Sequence, residues 1–139
     1  MLDHQLVGFY HCKAECDVVV IAVPLTPSTR GMFNEAAFQA MKSSAFLVNI
    51  ARGEVCNESD LVRALEKKQI AGAALDVFEH EPLPADSPLW HLPNVFITPH
   101  ISGLTRQYDE RAAALFAENL RRYMTGEPLL NVVDKTLGY

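Results

Sequence analysis

The stretch DVVVIAV, residues 17–23, follows its leading aspartate with an unbroken run of Val, Ile and Ala. Strands that are covered on both faces of a sheet have this composition, because neither row of alternating side chains meets water. Pro24 ends the run, and the loop PLTPSTRG follows. The stretch therefore predicts the first strand of a parallel sheet, with both of its faces covered.

Three further apolar runs predict three more strands. They are AFLVNI at residues 45–50, IAGAALDVF at residues 70–78 and NVFITP at residues 94–99. Helical patterns cover residues 35–41, 58–69 and 103–124, with Asn34 and Asn57 as predicted caps of the first two and Gly126 and Pro128 as the stop of the third. Strands that alternate with helices at this spacing predict an α/β fold with right-handed crossovers.

The connection between the last two predicted strands, residues 79–93, departs from this pattern. Its prolines at positions 82, 84, 88 and 93 prevent a long regular helix. We therefore expect a structured loop or a broken helix there.

Composition and charge exclude several classes of protein. The 139 residues are 49% hydrophobic and carry a formal net charge of -5, without a cluster of Lys and Arg. Nucleic acids and anionic membrane surfaces are normally bound by such clusters, so neither is an expected partner. The longest apolar run, VVVIAVPL, is far too short to span a bilayer. The three cysteines and five histidines show no metal-ligand spacing, so we expect a reduced, cytoplasmic chain without a metal site.

Four chemically capable residues lie at or beyond the ends of three predicted strands. Arg52, Glu81 and His100 each follow an apolar run, and Asp76 lies inside the end of the third run. Parallel strands point the same way, so their carboxyl ends share one edge of the sheet, where the ligands of open α/β sheets bind. The four side chains are therefore predicted to lie along one edge.

These residue types form a workable catalytic set. A guanidinium presents a planar fork of donors that matches a carboxylate, so Arg52 would suit an anionic substrate. A carboxylate beside an imidazole fixes the ring and favours its protonated form, so Glu81 would make His100 an effective proton donor. Structural alternatives remain for each residue alone. Arg52 can pair with Glu54 or cap its strand, whereas the acid and the imidazole can simply face solvent. Asp76, at an apolar strand end, needs a partner if it is buried.

Four stretches resemble, in order and spacing, the second half of the D-isomer-specific 2-hydroxyacid dehydrogenases. They are DVVVIAVPLTPSTRGMF, FLVNIARGEV, AGAALDVFEHEPLPADSPLW and NVFITPHISG. The resemblance spans residues 16–132 as an NAD-binding and catalytic half-domain, with residues 1–15 as an atypical N-terminal segment and residues 133–139 as a tail. It implies an NAD(P)-dependent oxidoreductase that interconverts a 2-oxo acid and a D-2-hydroxy acid. The loop EPLPADSPLW resembles that of glyoxylate or hydroxypyruvate reductases.

The resemblance also implies a role for each matching residue. Arg52 binds the carboxylate and carbonyl of the substrate, His100 is the general acid or base, and Glu81 pairs with His100. Asp76 meets the carboxamide of the nicotinamide, and Leu104 borders the substrate. The full set of implied contacts to NAD or NADP is Val23, Pro24, Thr29, Ile50, Ala51, Arg52, Asp76, His100 and Gly103.

The chain departs from the family in its glycines. They stand at positions 8, 31, 53, 72, 103, 126 and 138, and no two of them form GxG. A dinucleotide-binding half needs such a turn, because only glycine lets the backbone approach the pyrophosphate. The expected fold is therefore a partial Rossmann-like parallel sheet with flanking helices that lacks the glycine-rich first half. Intact family members are much longer, so we expect a truncated or fragmentary member with weak or no turnover by itself.

Two other functions stay open on the sequence alone. One is a non-catalytic dimerisation or regulatory module derived from the same fold. The other is a half-enzyme whose partner chain supplies the glycine-rich half. An apolar face on the last helix and a free sheet edge further predict self-association into a homo-oligomer.

Overall fold

The computed structural model describes residues 15–137 and contains a four-stranded parallel sheet. The strands are β1 (Val18–Ile21), β2 (Phe46–Asn49), β3 (Gly72–Leu75) and β4 (Val95–Ile97). All three pairings are parallel, and the strand order is β1-β2-β3-β4. The predicted α/β fold is confirmed, although each strand is shorter than its apolar run. The atypical segment predicted at residues 1–15 lies outside the described residues except for its last position.

Two short helices follow the first two strands. α1 (Glu35–Gln39) is capped by Asn34, whose side chain accepts a backbone hydrogen bond at 3.1 Å. α2 (Glu58–Glu66) is capped in the same way by Asn57 at 2.9 Å. Both predicted caps are confirmed, but both helices end earlier than predicted. After α2 the backbone of Lys68 takes a left-handed φ of 54°, which a continuing helix cannot contain.

The proline-rich connection contains one turn of 3-10 helix at Pro88–His91. The Ser87 hydroxyl caps it by accepting a hydrogen bond from the Leu89 N–H at 3.4 Å. The expectation of a structured loop or a broken helix is therefore confirmed.

The long helix α3 (Tyr108–Thr125) begins later than predicted, since residues 101–107 form turns and irregular backbone. The apolar pattern continues upstream of the helix, but the two acidic residues of its first turn mark the actual start. Gly126 ends α3 with a left-handed φ of 71°, which confirms the predicted stop. The chain divides into two compact units between Ser102 and Gly103, so that α3 belongs to the second unit.

One face of the sheet carries the hydrophobic core of the first unit, to which α1 and α2 contribute. The largest fully buried apolar residues of this core are Ile21, Phe38, Leu47, Val55, Leu61, Leu65, Ile70 and Leu89. Their burial fixes the sheet against the helices and so fixes where the strands end.

The opposite face of the sheet is exposed within residues 15–102, and we call it the open sheet face. It is defined by Val18, Val20, Phe46 and Phe96, which are 53%, 54%, 50% and 68% exposed. The prediction that the first strand is covered on both faces is therefore wrong for β1. An apolar run without polar alternation does not record whether a second layer covers it. No helix within residues 15–137 is long and apolar enough to cross a membrane.

Gly53, the residue after Arg52, lies directly against the backbone that leaves β3. A Cβ atom added at Gly53 would lie 1.9 Å from the carbonyl carbon of Phe78 and 2.3 Å from the nitrogen of Glu79. Only glycine therefore lets the turn after β2 touch the segment after β3. This contact brings the Arg52 turn next to the segment that continues to Glu81.

Gly53→Ala is expected to lower the free energy of unfolding of the first unit by more than about 2 kcal/mol, because both backbones would have to move. Urea unfolding followed by the fluorescence of Trp90, the single tryptophan, measures the change. Gly103→Ala is the control, since a Cβ there meets nothing within 4 Å. It should change stability by no more than about 0.5 kcal/mol. Equal stabilities of the two variants would contradict the close-contact explanation.

Candidate active site

The carboxyl ends of the parallel strands form one edge of the first unit. Arg52 lies in the turn after β2, Asp76 follows β3 directly, and His100 comes shortly after β4. Glu81 lies further along the segment that leaves β3. The topology therefore delivers all four predicted side chains to this edge.

Glu81 and His100 are in direct contact. Oε2 of Glu81 lies 2.7 Å from Nδ1 of His100, and Oε1 accepts a hydrogen bond from the Phe78 N–H at 3.0 Å. Both side chains are partly exposed, at 35% and 44%. The carboxylate is held at both of its oxygens and orients the imidazole through Nδ1, so Nε2 is the ring nitrogen that this contact does not occupy.

The pKa of the Glu81 carboxyl lies below its ordinary value of 4.5. Partial burial acts in the opposite direction and raises this pKa. The hydrogen bonds from His100 and the Phe78 N–H, together with the positive charges of His100 and Arg52, outweigh the effect of burial. Glu81 is therefore an anion at neutral pH, and Arg52 lies close enough to act on it through its charge.

Arg52 is exposed, and its side chain makes no ion pair within residues 15–137. Its Nη1 donates to the carbonyl of the preceding residue at 2.6 Å. Glu54, the partner that the sequence left open, faces Arg30 instead at 3.7 Å. Most donors of the Arg52 guanidinium are therefore available to an anionic ligand.

Asn49 is a residue of this site that the motif pattern does not reveal. It is 1% exposed, its Oδ1 accepts from the Ala51 N–H at 3.1 Å, and its Nδ2 donates to the Arg52 carbonyl at 3.2 Å. These bonds shape the turn that carries Arg52. The signal that could have found Asn49 is an amide at the end of an otherwise apolar run, since a buried amide needs partners.

Asp76 holds the segment that carries His100. It is 3% exposed, and its Oδ1 accepts hydrogen bonds from the Thr98 hydroxyl and the Ile101 N–H. Its Oδ2 accepts from the Ser102 N–H at 2.8 Å. These donors flank His100, which has a left-handed φ of 54°. The buried carboxylate thus has the partners that it was predicted to need, whereas its contact with the nicotinamide stays a prediction.

The other predicted cofactor contacts of the first unit differ in exposure. Val23, Pro24 and Ile50 are exposed beyond the ends of β1 and β2, whereas Ala51 is buried. The Thr29 hydroxyl donates to the Pro24 carbonyl at 2.7 Å and so closes the loop after β1. Exposed apolar surface is therefore present where the nicotinamide end was predicted to lie.

Gly103 and Leu104 belong to the second unit, where both are exposed. Their contacts to cofactor and substrate stay predictions. Within the described part of the chain, no group of three His, Cys, Asp or Glu side chains could hold a metal ion.

An apolar cavity of about 450 Å³ borders the Glu81–His100 pair. Its lining consists of Phe78, Glu81, Pro82, Leu83, Trp90, Ile97, Pro99 and His100. One wall is fixed by the indole Nε1 of Trp90, which donates to the Pro84 carbonyl at 2.8 Å. Apart from the acid and the imidazole the lining is apolar, so the pair lies at the border between an apolar cavity and solvent.

The Asp76 carboxylate makes stability depend on pH in a definite direction. Burial raises its pKa, but hydrogen bonds from the Ser102 and Thr98 side chains and from two backbone N–H groups lower it well below 3.8. Because the folded-state pKa is depressed, the unfolded chain takes up the proton first as pH falls. The stabilisation that Asp76 supplies is fully present above about pH 3.8 and is lost as the pH falls through the folded-state pKa.

Asp76→Asn is expected to lower the free energy of unfolding at pH 7 by about 2–4 kcal/mol, because an amide cannot accept all of these hydrogen bonds at full strength. The difference from the wild type should shrink as pH falls below about 3.8, because the unfolded wild type then takes up a proton that asparagine cannot bind. Urea unfolding at neutral and acidic pH measures this. Asp86→Asn, at an exposed loop position, is the control. A stability difference that is independent of pH would refute the assignment.

Comparison with known proteins identifies relatives of this chain. The family model described as D-isomer specific 2-hydroxyacid dehydrogenase, NAD binding domain, matches residues 2–102. The glyoxylate reductase of Thermofilum pendens is 46% identical over 119 residues, which are 86% of this chain and 35% of that protein. Glyoxylate/hydroxypyruvate reductase A of Photorhabdus laumondii is 43% identical over 122 residues, which are 88% of this chain and 38% of that protein.

Solved structures show the same likeness in three dimensions. One is a D-isomer specific 2-hydroxyacid dehydrogenase from Xanthobacter autotrophicus, in complex with NADPH and MES. It is 43% identical to this chain with a TM-score of 0.89, and the match covers 96% of this chain and 55% of that protein. The second is an NADPH-dependent glyoxylate/hydroxypyruvate reductase from Sinorhizobium meliloti, in complex with NADP and sulfate. It is 37% identical to this chain with a TM-score of 0.87, and the match covers 96% of this chain and 43% of that protein.

The chain spans 35% and 38% of the length of the two curated relatives named above. The family model nevertheless matches well over half of the chain, across the parallel sheet and the edge that carries Arg52, Glu81 and His100. The chain belongs to the D-isomer specific 2-hydroxyacid dehydrogenase family.

Proposed function

We propose that this chain carries the catalytic set of an NAD(P)-dependent oxidoreductase that interconverts a small 2-oxo acid and a D-2-hydroxy acid. The observation that carries the proposal is the 2.7 Å contact between Glu81 and His100 at the carboxyl edge of the sheet. Arg52 lies at the same edge, with no ion pair to any described residue. Reduction of a 2-oxo acid needs an anion-binding group and an oriented proton donor, and these three residues supply both.

Each of the three residues has one task in the proposed reaction. Arg52 binds the carboxylate of the 2-oxo acid and polarises its carbonyl group. The nicotinamide, when bound, supplies the hydride that C2 receives. His100 delivers the proton to the carbonyl oxygen through Nε2, and Glu81 stabilises the protonated imidazole before the transfer. The hydride and the proton together convert the 2-oxo acid into the 2-hydroxy acid.

The residues present fit the nicotinamide end of the cofactor better than its pyrophosphate. Val23 and Ile50 offer exposed apolar surface beyond β1 and β2, and the small Ala51 leaves room beside them. The 139 residues contain no GxG turn whose backbone could approach a pyrophosphate. We therefore assign to this chain the contacts to the nicotinamide end of NAD or NADP, with a small 2-oxo acid such as glyoxylate as the substrate.

Oxidation of NADH or NADPH with glyoxylate or hydroxypyruvate, followed by absorbance, tests the catalytic assignment. We expect slow turnover by the chain, and His100→Ala should lower kcat by at least about 100-fold because it removes the proton donor. His91→Ala is the matched control, since it removes an exposed imidazole from the same unit. Turnover by His100→Ala equal to that of the wild type would exclude the proposed role of the imidazole.

A non-catalytic dimerisation or regulatory module is the second candidate, and the open sheet face favours it. Titration of the chain with NADPH and NADH, followed by amide chemical shifts, separates the two candidates even where turnover is too slow to measure. The catalytic proposal expects shifts at Val23, Ile50 and Ala51. A chain without any shift at millimolar cofactor would support the second candidate.

We also propose that the chain self-associates through the open sheet face, because large apolar surfaces are rarely left to solvent. Phe96→Ser should shift the chain toward the monomer at high micromolar concentration in sedimentation velocity experiments. Tyr123→Ser on α3 is the matched control, since the exposures of Phe96 and Tyr123 are 68% and 73%. A monomeric wild type would refute self-association, and dissociation by Tyr123→Ser alone would assign the interface to α3.

A further inference from the structure

Two carboxylates outside the catalytic set bind each other's backbone N–H groups. The Glu58 N–H donates to Oε1 of Glu79 at 2.9 Å, and the Glu79 N–H donates to Oε2 of Glu58 at 3.1 Å. Glu58 is the first residue of α2, whereas Glu79 belongs to the segment that leaves β3. This arrangement, the reciprocal pair, ties the start of a helix to the segment that continues to Glu81.

The reciprocal pair brings like charges together. The pKa of the Glu58 carboxyl is raised, mainly by burial and also by the negative charge of Glu79. The hydrogen bond from the Glu79 N–H and the charge of His80 lower this pKa, but they do not offset the rise. Burial also raises the pKa of the Cys56 thiol, and the charges of Glu79, Glu58 and Asp60 raise it further. A neutral acceptor at position 79 would satisfy the helix start without this repulsion. The two hydrogen bonds of the pair therefore hold these carboxylates together against their repulsion.

The path from the reciprocal pair to the catalytic set is short. Phe78 is buried, and its N–H donates to Oε1 of Glu81. Gly53 packs against the backbone of Phe78 and Glu79 from the side of the Arg52 turn. Glu79 is thus adjacent in sequence to the residue whose N–H holds the Glu81 carboxylate. A displacement of Glu79 should move this donor and disturb the contact between Glu81 and His100.

We propose that Glu79, through its reciprocal pair with Glu58, is a positioning residue for the Glu81–His100 contact. Glu79 fixes the Phe78 backbone donor, and this donor orients the Glu81 carboxylate toward the imidazole. The consequence for turnover rests on the proposed function. The consequence for the ionisation of Glu81 does not, because it follows from the hydrogen bonds of the chain alone.

A carbon-13 NMR titration of the glutamate carboxyl groups in the full chain, without cofactor or substrate, tests the proposal. Glu79→Ala removes the acceptor of the Glu58 N–H, so the pKa of Glu81 should rise toward its ordinary value of 4.5. The reason is that the Phe78 N–H and the imidazole then no longer converge on the carboxylate. Glu79→Gln keeps an acceptor oxygen at the same reach and should keep the pKa of Glu81 near that of the wild type.

Asn57→Ala is the matched control for an effect on the helix alone. It removes the other side-chain cap at the start of α2, the 2.9 Å hydrogen bond to the Asp60 N–H. Within the described residues, the Asn57 side chain makes no hydrogen bond to the segment after β3. Asn57→Ala should therefore lower the melting temperature as Glu79→Ala does, while the pKa of Glu81 stays unchanged.

An unchanged pKa of Glu81 in Glu79→Ala, or an equal change in Asn57→Ala, would overturn the proposal. Glu58→Ala is the second variant, needed if Glu79→Ala does not fold. It removes the acceptor of the Glu79 N–H and should also raise the pKa of Glu81.

In glyoxylate reduction, Glu79→Ala should lower kcat about 10-fold with KM unchanged. A wild type that neither reduces glyoxylate nor binds NADPH or NADH would count against the proposed function, while the titration of Glu81 would still decide the positioning role.

Discussion

Parallel pairing of β2, β3 and β4 is the constraint on which the site depends. The register sets Asn49 beside Leu75 and Leu75 beside Ile97, so that the three strands end at the same level. The segments that follow must then leave from one edge of the sheet, whatever their length. Residues that are far apart in the sequence, such as Arg52 and His100, are brought together by this pairing and by the burial that fixes the sheet on its helices.

Buried polar atoms, rather than apolar contacts, fix the segments beyond the strand ends. Asn49 and Asp76 are both buried, and each binds backbone groups of the segment that carries a catalytic candidate. A charged or amide acceptor in a low-dielectric environment binds an N–H group more strongly than it would in water. This explains how Glu81 and His100 keep a defined contact while both stay partly open to solvent.

Local signals in the sequence predict the elements well but not the layers around them. The caps Asn34 and Asn57 and the stop at Gly126 were predictable, because each acts within one helical turn. The open sheet face was not, since an apolar run reads the same whether or not a second layer covers it. Topology and residue chemistry placed Arg52 and His100 on one edge. The hydrogen-bond partners of Asn49 and of the reciprocal pair could not be assigned from the sequence, because they depend on where neighbouring segments meet after folding.

The irregular backbone at residues 79–82 gives two nearby carboxylates different tasks. In a regular strand, side chains two residues apart point to the same face, so that Glu79 and Glu81 would compete for the same partners. The bends instead turn Glu79 toward the start of α2 and Glu81 toward the imidazole. On the helix side, burial and, to a smaller extent, the charge of Glu79 raise the pKa of Glu58. On the other side, Glu81 keeps its negative charge beside the imidazole of His100, because cationic groups and a backbone N–H face it.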